Sequence, residues 1–343
     1  MGLNKESGIA LGKWPKGERN LITDVPGVKV GHVTLNDGDI KTGVTAIIPH
    51  EGDLFHDKLM AGVSVINGFG KSVGLVKIDE LGTLESPIIM TNTLSVGTAL
   101  TASVKYMLEK NPDIGVETGT VNCVVTECND GSLNDIRGLH VKEEHVFEAL
   151  ANASDIFEEG VVGSGTGMTC LGVKGGIGSA SRIVKMDGFD YTVGSIVMSN
   201  FGQDDNLRIG DNFLGPQIDA YIKSQEPKKD KGSIIIVIAT DAPLSDRQLR
   251  RVAKRAMISL GRVGSYSGNG SGDIAIAFST GNHLPHYSDK YILDVKMAHD
   301  DLLDELFEAS VEATEEAIIS SLYHADTTHG IRGKVKYGLK QFL

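Results

Sequence analysis

The chain has 343 residues, of which 41% are hydrophobic and 23% are charged, and its formal net charge is −12. This composition is typical of a globular protein with a sizeable core, and it excludes a disordered or fibrous chain. The acidic balance argues against nucleic acid as a partner, because nucleic-acid binding normally needs a basic face. The 42 glycines follow no Gly-X-Y period, and they predict a fold with many close backbone approaches.

Short apolar, β-branched segments between Gly, Pro, Asn and Asp clusters predict the strands of a large sheet system. Several of these segments are continuously apolar, which is typical of strands buried on both faces. The predicted strands, in chain order, cover residues 44–48, 63–66, 87–91, 121–126, 192–198, 233–240 and 274–278.

Three segments have helical periodicity. The first predicted helix covers residues 94–109, and the last covers 300–323, where two aspartates favour the N-terminus. Between them, Ser245 and Gln248 have the spacing of a capping box, and the apolar residues that follow keep helical spacing until Gly261. Alternating strands and helices without internal repeats predict one mixed α/β domain over residues 1–343.

Cysteine usage and hydropathy predict the compartment. The N-terminal residues contain no apolar run long enough for a signal peptide, and the strongest run, 234–239, is too short to cross a bilayer. Cys123, Cys128 and Cys170 are an odd number in a long chain, which does not fit a disulfide framework. We therefore expect a soluble cytoplasmic protein with buried thiols and no membrane partner.

A strongly polar linker, residues 223–231, runs through Gly232 into the apolar strand that begins at Ser233. An ordinary surface loop would explain this junction. A second interpretation is self-cleavage, because a serine hydroxyl can attack the carbonyl before it and Gly232 has no β-carbon to obstruct that attack. Cleavage would make Ser233 N-terminal, and its α-amine, with a reference pKa near 7.7–8, would then be a base next to its own hydroxyl.

Three further polar residues could contribute to such a site. Ser271 and Asp273 are two apart before the strand 274–278, so on an extended backbone they project to the same face. Asn200 follows the strand 192–198, where its amide could donate to a developing oxyanion or could form a turn with Gly202.

The order of several motifs matches a known family. They are Ile22-Thr-Asp-Val-Pro-Gly-Val-Lys-Val-Gly-His32, Asn134-Asp-Ile-Arg-Gly138, Gly163-Ser-Gly-Thr-Gly167, Gly232-Ser-Ile-Ile-Ile-Val-Ile-Ala-Thr-Asp-Ala-Pro-Leu244, Ser271-Gly-Asp273 and Val311-Glu-Ala-Thr-Glu-Glu-Ala317. Over nearly the whole chain, the sequence resembles the DmpA-type L-aminopeptidase/D-esterases, which include the β-peptidyl aminopeptidases. The resemblance implies a layered α-β-β-α sandwich like that of N-terminal-nucleophile hydrolases.

The resemblance also implies how the protein acts. The chain would cut itself into residues 1–232 and 233–343 and hydrolyse small peptides, amides or esters through an acyl-enzyme, without cofactor or metal. Its assembly would be a homo-oligomer, a tetramer of cleaved heterodimers. The implied roles are Ser233 as nucleophile, Asn200 as oxyanion donor, Ser271 and Asp273 as its tuning pair, Glu127 as partner of the substrate ammonium, and Asn129 as a substrate contact where some members have tyrosine.

Two alternatives stay open. A related acyltransferase, of the self-processing ornithine acetyltransferase type, uses threonine where this chain has Ser233, and a binding or assembly protein could retain the fold without processing. The glycine clusters 163–167 and 175–178 fit neither a Walker A loop nor a Rossmann fingerprint. His283 and His286, with Asp289 nearby, lack the HExxH helix of a zinc site, so no metal is predicted.

Overall fold

The structure, a computed structural model, describes residues 2–3, 7–222 and 231–343. The helices of these residues are α1 (Leu75–Leu81), α2 (Val96–Lys110), α3 (Glu143–Ala151), α4 (Gly215–Ile222), α5 (Asp246–Arg262) and α6 (Asp304–Tyr323). The strands are β1 (Lys29–Asp37), β2 (Ile40–Ile48), β3 (Asp57–Gly68), β4 (Thr83–Leu84), β5 (Ile88–Asn92), β6 (Val124–Cys128), β7 (Thr169–Cys170), β8 (Val173–Lys174), β9 (Gly176–Met186), β10 (Phe189–Asn200), β11 (Arg208–Ile209), β12 (Asn212–Phe213), β13 (Lys231–Thr240), β14 (Gly270–Pro285), β15 (Thr328–His329) and β16 (Val335–Lys336).

Two sheets form the centre of the molecule. One has four strands in the order β1-β2-β5-β6, and the other has six in the order β4-β3-β14-β13-β10-β9. In the larger sheet, β13 pairs in parallel with β14 and antiparallel with β10. The C-terminal end of β10 therefore lies beside the N-terminal ends of β13 and β14.

The helices cover the outer faces of the two sheets. α2 and α3 pack on the four-stranded sheet, and α5 and α6 pack on the six-stranded sheet. A third apolar cluster fills the space between the sheets. The layered α-β-β-α arrangement confirms the predicted fold class.

β13 shows why its sequence is continuously apolar. Ile235 and Val237 face the four-stranded sheet, and Ile234 and Ile236 face the helices. Since both faces of the strand are covered, no alternating polar position is needed. The strand therefore places Ser233, its first buried side chain, at the boundary of the core.

Several bounds differ from the prediction. The capping box at Ser245 and Gln248 is present and begins α5, as predicted. Asp300–Leu302 form a 3₁₀ turn, so α6 begins only at Asp304. The strand predicted over 121–126 begins at Val124. Most of the polar linker, residues 223–230, lies outside the described residues.

The three cysteines are buried thiols outside any disulfide, as predicted. Among the helices of the described residues, none has the length and apolar composition needed to cross a bilayer.

Candidate active site

The candidate nucleophile lies on β13, which is flanked by β10 and β14. Ser233, on β13, is the register partner of Asn200 on β10 and of Gly272 on β14. Ser233 is only 3% exposed and Asn200 5%. Because paired residues project to the same face of a sheet, the hydroxyl and the amide lie side by side.

Gly232 has a conformation that requires glycine. Its φ is +149°, and a β-carbon here would lie 1.9 Å from the carbonyl oxygen of Asn200. The Ser233 hydroxyl donates a hydrogen bond of 2.5 Å to the Gly232 carbonyl oxygen. The hydroxyl therefore lies against the carbonyl group that it would attack in self-cleavage.

Gly272 leaves the space that the hydroxyl occupies. A β-carbon at this position would lie 2.9 Å from Ser233 Oγ and 2.6 Å from the carbonyl oxygen of Phe69. Both contacts are shorter than carbon–oxygen packing allows. The backbone of Phe69 thus closes one side of the site.

A Gly272→Ala variant is expected to react at Ser233 about 100-fold more slowly, because the new methyl group displaces the hydroxyl. The measurement is the rate at which an activated ester acylates Ser233, read by peptide mass. Gly261→Ala is the matched control, since no atom outside the backbone of its own helix lies within 4 Å of a β-carbon there. Equal labelling of Ser233 in all three proteins would contradict the expectation.

Ser271 and Asp273 form a buried pair, with Ser271 Oγ donating to Asp273 Oδ1 at 2.6 Å. Their register partners on β13 are Gly232 and Ile234, and Ile234 packs in the core beneath the helices. Side chains alternate along a strand, so the pair lies on the opposite face from the Ser233 hydroxyl. It can therefore act on the main-chain nitrogen of Ser233, which lies in the plane of the sheet.

The Asn200 amide is held at both ends by main-chain groups. Its Oδ1 accepts the N–H of Thr169 at 2.9 Å, and its Nδ2 donates to the carbonyl oxygen of Asn129 at 3.0 Å. Neither contact is a turn with Gly202, the alternative that the sequence left open. An amide fixed in this way is a preorganised donor.

Glu127 comes from the end of β6 in the other sheet and is 2% exposed. Its Oε1 accepts the N–H of Lys71 at 2.8 Å, and its Oε2 accepts the Thr93 hydroxyl. Neither donor is a cation. A β-carbon built on Gly70 would lie 3.4 Å from Glu127 Oε1 and 3.9 Å from the Cα of Gly272, so the carboxylate is close to the same cleft.

Asn129 follows directly after β6. Its exposed side chain accepts the N–H of Gly131 at 3.0 Å, and its carbonyl holds Asn200. The carbonyl group of Asn129 thus orients the side-chain amide of Asn200.

Sequence reasoning missed two groups of the site. Thr93 and Thr169 hold Glu127 and Asn200, yet neither belongs to a motif with a recognisable spacing. A usable signal for Thr93 is its place just after β5, because β5 and β6 are parallel neighbours and their C-terminal ends lie together. Thr169 follows the 163–167 glycine cluster, which forms a buried turn against β2.

The two histidines near the end of β14, His283 and His286, contact different residues. His283 contacts Asp57 Oδ2 at 2.6 Å, and His286 contacts Thr118 Oγ1 at 2.8 Å. His50 joins the first pair, with ligand atoms of all three residues within 4.8 Å. However, His50 Nδ1 accepts a main-chain N–H, which requires its proton on Nε2, where it donates to a carbonyl. His50 therefore has no lone pair for a metal ion.

The chain is similar to known proteins over most of its length. The model of Peptidase family S58 matches residues 20–336. The β-peptidyl aminopeptidase BapA of Sphingosinicella microcystinivorans is 40% identical over 339 residues, covering 92% of this chain and 84% of that protein.

Two solved structures are also similar. The PH0078 protein from Pyrococcus horikoshii OT3 has a TM-score of 0.92 and 53% identity, covering 98% of this chain and 95% of that one. The L-aminopeptidase D-Ala-esterase/amidase from Ochrobactrum anthropi has a TM-score of 0.89 and 35% identity, with 98% of both chains covered. That protein is described as a prototype for the serine aminopeptidases and a new variant among the Ntn hydrolase fold.

Proposed function

The chain belongs to peptidase family S58, and we propose that it is a self-cleaving serine aminopeptidase acting through an acyl-enzyme on Ser233. Its substrates are small peptides, amino-acid amides or esters with a free amino terminus. The observation that carries the proposal is the pairing of Ser233 with Asn200, which places a buried hydroxyl beside a fixed amide donor. The buried Glu127 carboxylate nearby supports recognition of an ammonium group.

Self-cleavage begins with attack of Ser233 Oγ on the Gly232 carbonyl carbon, against which the hydroxyl already lies. The C–N bond breaks, the Ser233 nitrogen takes the proton, and an ester links Gly232 to the hydroxyl. Water then hydrolyses the ester. The products are residues 1–232 with a new carboxylate and residues 233–343 with a free α-amine. Side chains from both pieces fill the core between the sheets, which supports one folding unit, cut once.

Turnover uses the amine that self-cleavage releases. The α-amine of Ser233 takes the hydroxyl proton while Oγ attacks the substrate carbonyl, and the Asn200 amide donates to the developing oxyanion. The protonated amine then gives its proton to the leaving group. Water activated by the same amine hydrolyses the acyl-enzyme and regenerates Ser233. These steps need no cofactor.

The hydrogen-bonded pair of Ser271 and Asp273 orients the α-amine of Ser233. The Ser271 hydroxyl donates a hydrogen bond to Asp273, so the lone pairs of its oxygen point away from Asp273 and can accept a hydrogen bond. An N–H of the Ser233 amine can donate to that oxygen, and the amine's own lone pair then points toward Oγ. The Asp273 carboxylate also favours the protonated amine that forms during attack.

A Glu127→Gln variant is expected to lose about 10- to 100-fold in kcat/KM for aminoacyl amides, mainly through a higher KM. The amide is similar in size but has no charge to bind the substrate ammonium. Desamino acyl amides, which lack the ammonium, are the control and are expected to react equally with both proteins. A loss of the same size on the desamino substrates would contradict this role of Glu127.

A direct test of the activity is a panel of α- and β-aminoacyl amides with L and D configurations. We expect amide release from members with a free amino group and none from their N-acetylated forms. An added amine acceptor is expected to leave the free amino acid as the main product, whereas transfer of the acyl group to the acceptor would indicate an acyltransferase. The panel also identifies the preferred side chain.

Compartment and assembly complete the proposal. The three buried cysteines, none of which is in a disulfide, support a reducing compartment such as the cytoplasm. Apolar side chains exposed at Tyr291, Ile292 and Met297 support a homo-oligomer, here proposed as a tetramer of cleaved heterodimers.

A further inference from the structure

Lys174 is a fully buried lysine on β8 that the proposed chemistry does not use. Its ammonium donates to three main-chain carbonyl oxygens, those of Gly165 at 3.1 Å, Met168 at 2.8 Å and Gly175 at 2.6 Å. An ammonium group has three donors, so each one is used here. The lysine therefore ties together both ends of the segment 165–175.

The segment that Lys174 ties is a tight hairpin. β7 and β8 pair antiparallel, with Thr169 directly opposite Lys174, and Leu171 and Gly172 form the turn at positive φ. The N–H of Leu171 donates to the carbonyl oxygen of Phe201 at 2.8 Å. The hairpin is thus attached to the chain just beyond the end of β10.

This hairpin is one of two supports of the Asn200 amide. The Thr169 N–H fixes the amide oxygen, and the carbonyl of Asn129 fixes the amide nitrogen. Without the first support, the amide can rotate about its last side-chain bond and turn its N–H groups away from Ser233. The orientation of the proposed oxyanion donor therefore depends on the position of Thr169.

The surroundings of Lys174 explain why its bonds matter. Removal from water lowers the pKa of Lys174 to about 7, and the nearby negative charge of Asp130 opposes this effect. The thiol of Cys170 is the other titratable group acting on it. A buried cation is retained only where hydrogen bonds offset its lost hydration, and here the three carbonyls supply those bonds.

We propose that Lys174 is a positioning residue of the active site, holding the β7–β8 hairpin so that the Thr169 N–H orients Asn200 toward the oxyanion. This inference rests on the proposed function. It assigns to a buried cation that does not contact the reacting atoms a share of transition-state stabilisation, exerted through Asn200. Substrate binding at Glu127 does not depend on the hairpin, because Glu127 is held by Lys71 and Thr93.

The test is a Lys174→Met variant, assayed per mole of the piece that begins at Ser233. We expect kcat to fall about 10- to 100-fold while KM stays within about twofold of the parent value. Lys77→Met is the matched control, because Lys77 is also largely buried and donates to the carbonyl oxygen of Thr83 at 2.9 Å. None of its contacts involves Asn200, so its kcat is expected to match the parent.

A double-mutant cycle separates positioning from general destabilisation. In an Asn200→Ala background, Lys174→Met is expected to cost no further kcat, because the group it orients is already absent. If processed enzyme is scarce, the same cycle is read on the rate at which the piece beginning at Ser233 appears. Lys174→Gln, which keeps two N–H donors, replaces the methionine variant if that one does not fold.

Unchanged kcat in the folded Lys174 variant would overturn the inference, and so would losses that multiply in the double variant. A failure of the proposed function looks different. In that case the parent protein itself releases no amine from aminoacyl amides, or Ser233→Ala retains the activity.

Discussion

A Ser233→Ala variant is expected to remain a single chain of 343 residues and to lose aminoacyl-amide hydrolysis by a factor of about 10⁴ or more. Alanine removes the nucleophile of both reactions, the attack on Gly232 and the attack on substrate. Intact-mass spectrometry follows the first, and release of the amine follows the second.

The control for this variant is Ser279→Ala. Ser279 lies on β14, is fully buried and donates its hydroxyl to the carbonyl oxygen of Ala242 at 2.6 Å, much as Ser233 donates to Gly232. We expect Ser279→Ala to process and to turn over substrate normally once folded. A Ser233→Ala protein that still cuts itself, or that hydrolyses amides at the parent rate, would contradict the assignment.

An Asn200→Ala variant is expected to lose about 10²- to 10³-fold in kcat, or about 3–4 kcal/mol of transition-state stabilisation, with a smaller change in KM. The amide donates to the oxyanion, which exists only in the transition state and the tetrahedral intermediate. Steady-state kinetics on a single aminoacyl amide, normalised to processed enzyme, gives both values.

Asn282→Ala is the comparison for Asn200→Ala. Asn282 is 8% exposed, and its amide also exchanges two main-chain hydrogen bonds, both with Lys296. Its loss is expected to lower stability and to leave kcat unchanged. Equal kcat losses in the two variants would mean that Asn200 is structural.

The sequence predicted the elements that carry the site because local patterns determine them. β13 is continuously apolar since both of its faces are covered, and α5 begins at a capping box whose two hydrogen bonds are local. The spacing of Ser271 and Asp273 also predicted their shared face. These features follow from strand and helix geometry within a few residues.

β9 and α3 are among the elements that the sequence analysis missed, and the reason is physical. Residues 176–181 of β9 are mostly glycine, serine and alanine, which do not favour a strand, and the strand is stabilised by β10 on one side and by α6 packing on its face. α3 is nine residues long, and so short a helix depends on tertiary contacts with β1 and β2. Such contacts leave little trace in local periodicity.

The arrangement of the site is non-local and could not follow from spacing. Asn200 meets Ser233 only through the register of β10 with β13, and Glu127 reaches the cleft from a different sheet. Only the family resemblance indicated from the sequence that these residues belong to one site. Gly232 illustrates the difference: the sequence explained its missing β-carbon by access to the carbonyl, whereas the structure shows a collision with the Asn200 carbonyl.

The most direct test of the account is the intact mass of the parent protein, before and after exposure to a slowly hydrolysed aminoacyl ester. We predict two pieces, residues 1–232 and 233–343, and an added aminoacyl group on the second piece that maps to the Ser233 hydroxyl. A full-length chain that is active without cleavage, or an acyl group mapped to any other residue, would contradict the account.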